Sequence, residues 1–193
     1  MGEVLSSRFH PDKSDIAFII IDFQDGLLAV MGENARKKAS KNIALLINLA
    51  NLMHLPIIIT EQYPQGLGKT TSELIEELGD LYQPIEKLTF SCYAHSPFVE
   101  KIKSLRVRHF ILSGVETHVC VLQTALDLLA DGYEVSVVSD AVCSRYEPDW
   151  GAGLRMVEQA GGVVTSTEII TFQLLKQSDT PEFKLMSPLL KQR

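Results

Sequence analysis

The hydrophobic pattern predicts an α/β fold: one six-stranded parallel sheet of Rossmann-like type with helices on both faces. Three observations predict it. Ile16-Ala-Phe-Ile-Ile-Ile21 is an unbroken, β-branched apolar run, as strands buried on both faces require. Strand-like and helix-like stretches alternate six times along the chain, which is the order of a parallel sheet with crossover helices. No internal repeat, linker or low-complexity segment interrupts that order. The 193 residues fit a single domain over 1–193 with a full core. Residues 1–13 read as an N-terminal arm and 176–193 as a C-terminal tail.

The elements follow in order. The first strand ends at Asp22, and Asp22 to Gly26 reads as a loop. Ala35 to Met53 has helical periodicity, with Ala39, Ile43, Leu46, Ile47 and Ala50 on one side. Pro56 opens a second strand, Ile57 to Thr60, and a Gly/Pro loop runs from Glu61 to Thr70. Ser72, Leu74, Ile75 and Leu78 suggest a short helix. Pro84 to Leu88 reads as a third strand with Lys87 near its end. Pro97 to Leu105 reads as a helix with Ser96 as cap and Pro97 at the first position. Val107 to Leu112 is the fourth strand, broken by Ser113 and Gly114. Thr117 to Ala130 is the next helix, with Thr117 as its N-cap and acidic Glu116 at its start. Asp131-Gly132 ends it. Tyr133 to Val138, the helix Pro148 to Ala160, Val163 to Thr165 and the helix Thr167 to Leu175 complete the alternation. The tail reads as polar and Pro-broken, with a weak apolar patch from Leu185 to Leu190.

Hydrophobic residues make up 46% and charged residues 22%, the composition of an ordinary globular domain. A net charge of −6 argues against a nucleic-acid partner. No apolar run approaches the roughly 18 residues that cross a membrane, so no membrane partner is expected. The N-terminus is polar and lacks the apolar centre of a signal peptide, which predicts a cytoplasmic protein. Three cysteines, an odd number, suggest free thiols.

In open α/β sheets the ligand lies beyond the carboxyl ends of the strands, at the switch point of the strand order. Asp22 ends strand one, Lys87 lies near the end of strand three, and Cys120 falls in the first turn after strand four. All three can meet at one sheet edge. A free thiol has a pKa of about 8.5 and is only roughly 3% thiolate at neutral pH, but a helix N-terminus and a nearby cation favour the thiolate. Cys120 therefore reads as a nucleophile, with a small buried hydrophobe as the competing reading. Asp22 would take the thiol proton and later pass it to a leaving group. Lys87 would hold Asp22 ionised and stabilise the thiolate. The backbone N–H groups of Glu116 and Cys120 would form an oxyanion hole. The competing reading of Asp22 and Lys87 is a structural ion pair.

At these residues the chain resembles the isochorismatase-like cysteine hydrolase superfamily. The matching pieces are Ile21-Asp22-Phe23-Gln24, Glu86 to Ser91, Gly114 to Val121, and Ser139-Asp140-Ala141. They span residues 16 to about 175 in family order. The resemblance implies an Asp22–Lys87–Cys120 triad and a cis peptide between Val115 and Glu116. Thr60 to Gly68 and Asp140 to Arg145 look like the isochorismatase-domain-containing branch. Nicotinamidases of the superfamily carry an Asp-x-His metal motif after strand two. Glu61-Gln62-Tyr63 stands there instead, which disfavours a metal and a nicotinamidase. The implied activity is a cofactor-free, metal-independent cysteine hydrolase of a small amide or related C–N bond, through an acyl-enzyme. The alternatives are a catalytically silent binding or scaffold protein and a vinyl-ether hydrolase of isochorismate type, although no cationic clamp for two carboxylates is evident. The resemblance also implies a homo-oligomer.

Phe23, Tyr63, Phe90 and Tyr93 fall in loops above the sheet. Phe23, Tyr63 and Phe90, with Gln24 and Thr117, are the candidate pocket residues for a small-molecule substrate. Arg145, beyond strand five, reads as a surface ion-pair partner. Gly66-Leu67-Gly68-Lys69-Thr70 is a near miss to a phosphate-binding loop, with Tyr63 where the first glycine is needed. Cys92, His95, His118 and Cys143 form only half of a zinc pattern.

Overall fold

The computed structural model describes residues 8–191; residues 1–7 of the arm and 192–193 of the tail lie outside the described residues. One sheet contains six strands in the order β3-β2-β1-β4-β5-β6. The strands are β1 (Ile16–Ile21), β2 (Ile57–Gln62), β3 (Ile85–Lys87), β4 (His109–Val115), β5 (Glu134–Cys143) and β6 (Val163–Thr165). Every pairing is parallel. The chain winds outward from β1 through β2 to β3, then returns to lay β4 on the other side of β1. The switch point therefore lies between β1 and β4.

The core has two layers. Phe23, Ile43, Leu46, Leu74 and Ile170 fill one face of the sheet. Phe98, Ile102, Val121, Leu128 and Val157 fill the other. The helices behind the first layer include α1 (Asp25–Leu28), α2 (Glu33–Leu52), α3 (Pro64–Leu67), α4 (Ser72–Leu78), α8 (Thr167–Leu175) and α9 (Pro181–Lys191). The second layer is covered by α5 (Ser96–Leu105), α6 (Leu122–Ala130) and α7 (Glu147–Gln159).

Several boundaries differ from the sequence reading. β4 does not break at Ser113-Gly114. It runs to Val115 and stays paired with β1 through Gly114. Gly114 has φ 117°, and a Cβ there would fall on the backbone of Ile21. Only glycine allows that approach. A bulge follows between Leu112 and Gly114 on the β5 side, and β5 carries on to Cys143 instead of ending at Val138. Its polar residues are paired: Asp140 Oδ1 accepts from the Thr167 N–H at 2.9 Å and its hydroxyl at 2.8 Å. β2 likewise continues past Thr60, because the buried Glu61 carboxylate accepts from Thr70 N–H, Thr70 hydroxyl and Tyr82 hydroxyl at 2.7, 2.8 and 2.6 Å.

The loop expected over Asp22–Gly26 turns into α1. His95, not Ser96, occupies the cap position of α5. Glu116, not Thr117, precedes a π-helical turn, Thr117–Val121, that runs into α6. The tail expected as broken and polar forms α9. Pro181 opens that helix, where its missing N–H has no intrahelical role, and Met186 is buried against the core.

Candidate active site

The Val115–Glu116 peptide bond is cis. Just beyond it the π turn presents Cys120, and α7 lies close over that turn because Gly153 has no side chain. A Cβ at Gly153 would sit 3.1 Å from the Thr117 carbonyl and from His118 Cα. On the neighbouring strand, Asp22 leaves β1 with φ 50°, a conformation that aspartate tolerates better than most residues. Its N–H donates to the Thr60 carbonyl at 3.1 Å.

The Asp22 carboxylate is fully buried. Lys87 Nζ donates to Oδ2 at 2.6 Å, and the Thr60 hydroxyl donates to Oδ1 at 2.7 Å. The Cys120 thiol lies close enough to feel both this carboxylate and the Lys87 ammonium. Lys87 also donates to Gln62 Oε1 at 2.8 Å and to the carbonyls of Thr89 and Phe90 at 3.1 and 3.3 Å. An ammonium has three protons, and four protein acceptors surround this one.

Burial alone would lower the Lys87 ammonium. The acidic groups around it, Cys92, Asp22 and Cys120, more than offset that, so its pKa is raised. Cys120 departs from the thiolate expected of a helix N-terminus. Its residue is only 5% exposed. Burial first and the Asp22 carboxylate second push the thiol up, and Lys87 pulls the other way without prevailing.

Asp22, Lys87 and Cys120 therefore come together at the carboxyl edge, where β1 meets β4. Residues 16–169 match the Isochorismatase domain. The chain belongs to the isochorismatase family.

Within that family, the chain is 38% identical over 151 residues to isochorismatase domain-containing protein 2 of Bos taurus, covering 77% of this chain and 71% of that protein. Its backbone superposes with TM-score 0.85 on a Caenorhabditis elegans structure described as the MAR1 ribonuclease, at 36% identity, over 93% of this chain and 91% of that one. The Escherichia coli YcaC product, described as an octameric hydrolase of unknown specificity, gives TM-score 0.85 at 26% identity, over 93% and 90%.

The other expected site residues of this isochorismatase-family chain are divided. Tyr63 and Phe90 are about half exposed, in the loops that flank Lys87. Phe23 is packed in the core under the site. Gln24 is fully buried, and its amide clamps the second loop: Oε1 accepts from Gln62 N–H at 2.6 Å, and Nε2 donates to the Gln62 and Gly68 carbonyls. Thr117 is buried with its hydroxyl unpartnered. Arg145 donates to Glu116 Oε1 at 2.7 Å.

The near-miss phosphate loop is closed. The N–H groups of Gly66, Leu67 and Gly68 are spent on the carbonyls of Tyr63 and Pro64. The half zinc pattern is dispersed: Cys92 lies against Thr60, His118 against Ser144 and Cys143 against Met31. Thr60 and Gln62 were not singled out from the sequence as site residues, and Cys92 was weighed only as part of the half zinc pattern. A hydroxyl closing the apolar run Ile57-Ile-Ile-Thr60 was the available signal for the first.

Proposed function

We propose that this protein is a metal-independent, cysteine-dependent hydrolase of a small amide or related C–N bond. The observation that carries the proposal is the buried Lys87–Asp22 pair with the Cys120 thiol near enough to feel both charges. A structural ion pair needs no thiol beside it. As the sulfur attacks the carbonyl carbon, its proton passes to Asp22. The Glu116 and Cys120 N–H groups receive the developing oxyanion. Asp22 then gives its proton to the leaving nitrogen, and the C–N bond breaks. Water, deprotonated by the same carboxylate, releases the acyl group, and the proton returns to sulfur. Lys87 keeps Asp22 in place and balances its charge throughout.

Tyr63 and Phe90 are proposed to face substrate, with Phe23, Gln24 and the buried Thr117 supporting the site from below. A net charge of −6 supports a small, non-polyanionic substrate. Among the described residues no helix is long and apolar enough to cross a membrane. The octameric E. coli relative supports a homo-oligomer. The low exposure of Cys120 favours a second reading, a binding protein that keeps the residues without turnover.

The two readings separate on one experiment. Intact protein is mixed with a panel of small amides and ureides, and both product release and acyl adduct mass are followed. The hydrolase reading expects an adduct on Cys120 and turnover that Cys120→Ala abolishes with the fold intact. Turnover by a folded Cys120→Ala protein, or no adduct and no product across the panel, overturns it.

A further inference from the structure

The contacts behind the Asp22 carboxylate form a closed circuit. The Thr60 hydroxyl has one proton, and it lies 2.7 Å from Asp22 Oδ1. Cys92 Sγ lies 3.7 Å from the same hydroxyl oxygen. Thr60 has already committed its proton to the carboxylate, so the sulfur is the donor in this second contact. The raised pKa of Cys92, pushed up by burial to about 11, keeps that proton on sulfur at neutral pH. The Cys92 N–H donates to Thr124 Oγ1 at 2.9 Å, and Thr124 lies one helical turn beyond Cys120. Asp22, Thr60, Cys92 and Thr124 are all fully buried. The circuit thus runs from the base, through β2 and the turn at Cys92, back to the helix that carries the nucleophile.

We propose that Thr60 is a positioning residue that, with the Cys92 thiol behind it, aims the Asp22 carboxylate at Cys120. The inference rests on the triad reading given above. A carboxylate rotates freely about its terminal torsion. Lys87 holds Oδ2, and one fixed oxygen still leaves the plane of the group undefined. The Thr60 donor on Oδ1 fixes that plane. The Cys92 proton in turn fixes the Thr60 rotamer, because it fills the hydroxyl lone pair that faces away from Asp22. Thr60 is fully buried behind the carboxylate it donates to, so it acts through Asp22.

The test reads Cys120 reactivity and needs no substrate. Full-length wild type, Thr60→Val, Thr60→Ser and Cys92→Ala are alkylated with iodoacetamide between pH 5 and 9, and peptide mass mapping reports the rate at Cys120. Thr60→Val, which keeps the shape and removes the donor, slows alkylation about tenfold, the size expected for a lost hydrogen bond to a charged group. Its acid limb also moves up by about one pH unit, because the anionic form has lost a donor. Thr60→Ser restores both. Cys92→Ala, which leaves Thr60 in place, slows the reaction about threefold. Wild-type rates and an unshifted profile in Thr60→Val overturn the proposal. If Thr60→Val does not fold, an unchanged rate in Cys92→Ala overturns it alone. An inert amide panel with these rate differences intact would defeat the hydrolase reading and leave the positioning role standing.

Discussion

Lys87 Nζ lies 2.6 Å from Asp22 Oδ2, and neither side chain reaches solvent. Removing one partner of such a pair leaves the other charge buried without its counter-ion. Lys87→Met should cost about 3 kcal/mol of stability. The double variant Asp22→Asn/Lys87→Met should lose less than the sum of the singles. Urea denaturation of the four proteins checks both statements.

Gly114→Ala should fail to fold. The new Cβ meets the Ile21 backbone in the middle of the sheet, and φ 117° is strained for any side chain. A loss of about 4 kcal/mol or more is expected, read as loss of soluble protein. Recovery of native circular dichroism at normal yield would contradict the close approach of β1 and β4.

Thr117→Val should raise the melting temperature. The Thr117 hydroxyl is buried with no partner, so a methyl in its place removes a desolvation cost of about 1 kcal/mol. Differential scanning calorimetry measures it, and a fall instead of a rise would mean that the hydroxyl is bonded.

Stability should fall at alkaline pH. Burial pushes Cys92 up to about 11 and Cys143 up to about 12, with Asp22 and Glu116 adding to the respective shifts. The unfolded chain releases these protons above about pH 8.5, while the folded chain keeps them. The contribution of these thiols is therefore complete below that pH and is lost as pH rises toward the folded values. Urea midpoints at pH 7.5 and 10 should differ, and Cys143→Ala should reduce the difference.

The acid side has its own sensor. His109 is buried with Nε2 2.8 Å from Ser136 Oγ, and burial lowers its pKa against the pull of Glu134 and Asp15. The unfolded chain gains the proton below about pH 6.5 and the folded chain resists it. Its stabilisation is present above that pH and is lost as pH falls, by up to about 1.4 kcal/mol per unit. His109→Gln should flatten the slope of stability between pH 7.5 and 5.5.

The sheet was legible because β1 is apolar on both faces, and that pattern has one structural meaning. Cys120 was legible because a strand, a glycine and a helical period bracket it. The extensions of β2, β4 and β5 were not, since Glu61, Gly114 and Asp140 each look like strand breakers until their distant partners are known. The same holds for the π turn, which depends on Gly153 across the site, and for α9, whose helical face is defined by the core that receives Met186. Thr60 shows the limit most clearly: a hydroxyl closing an apolar run marks a change of environment, but not that its partner is the Asp22 carboxylate.

The two main-chain oxygens that grip Lys87 belong to Thr89 and Phe90, and the neighbouring side chains of Leu88 and Phe90 stand largely in water. Any amino acid but proline, whose ring would constrain the turn, supplies the same oxygen. Drift at these positions can therefore reshape the surface beside Lys87 while the buried ion pair stays untouched. A protein built this way can vary the rim around a buried pair without disturbing the pair.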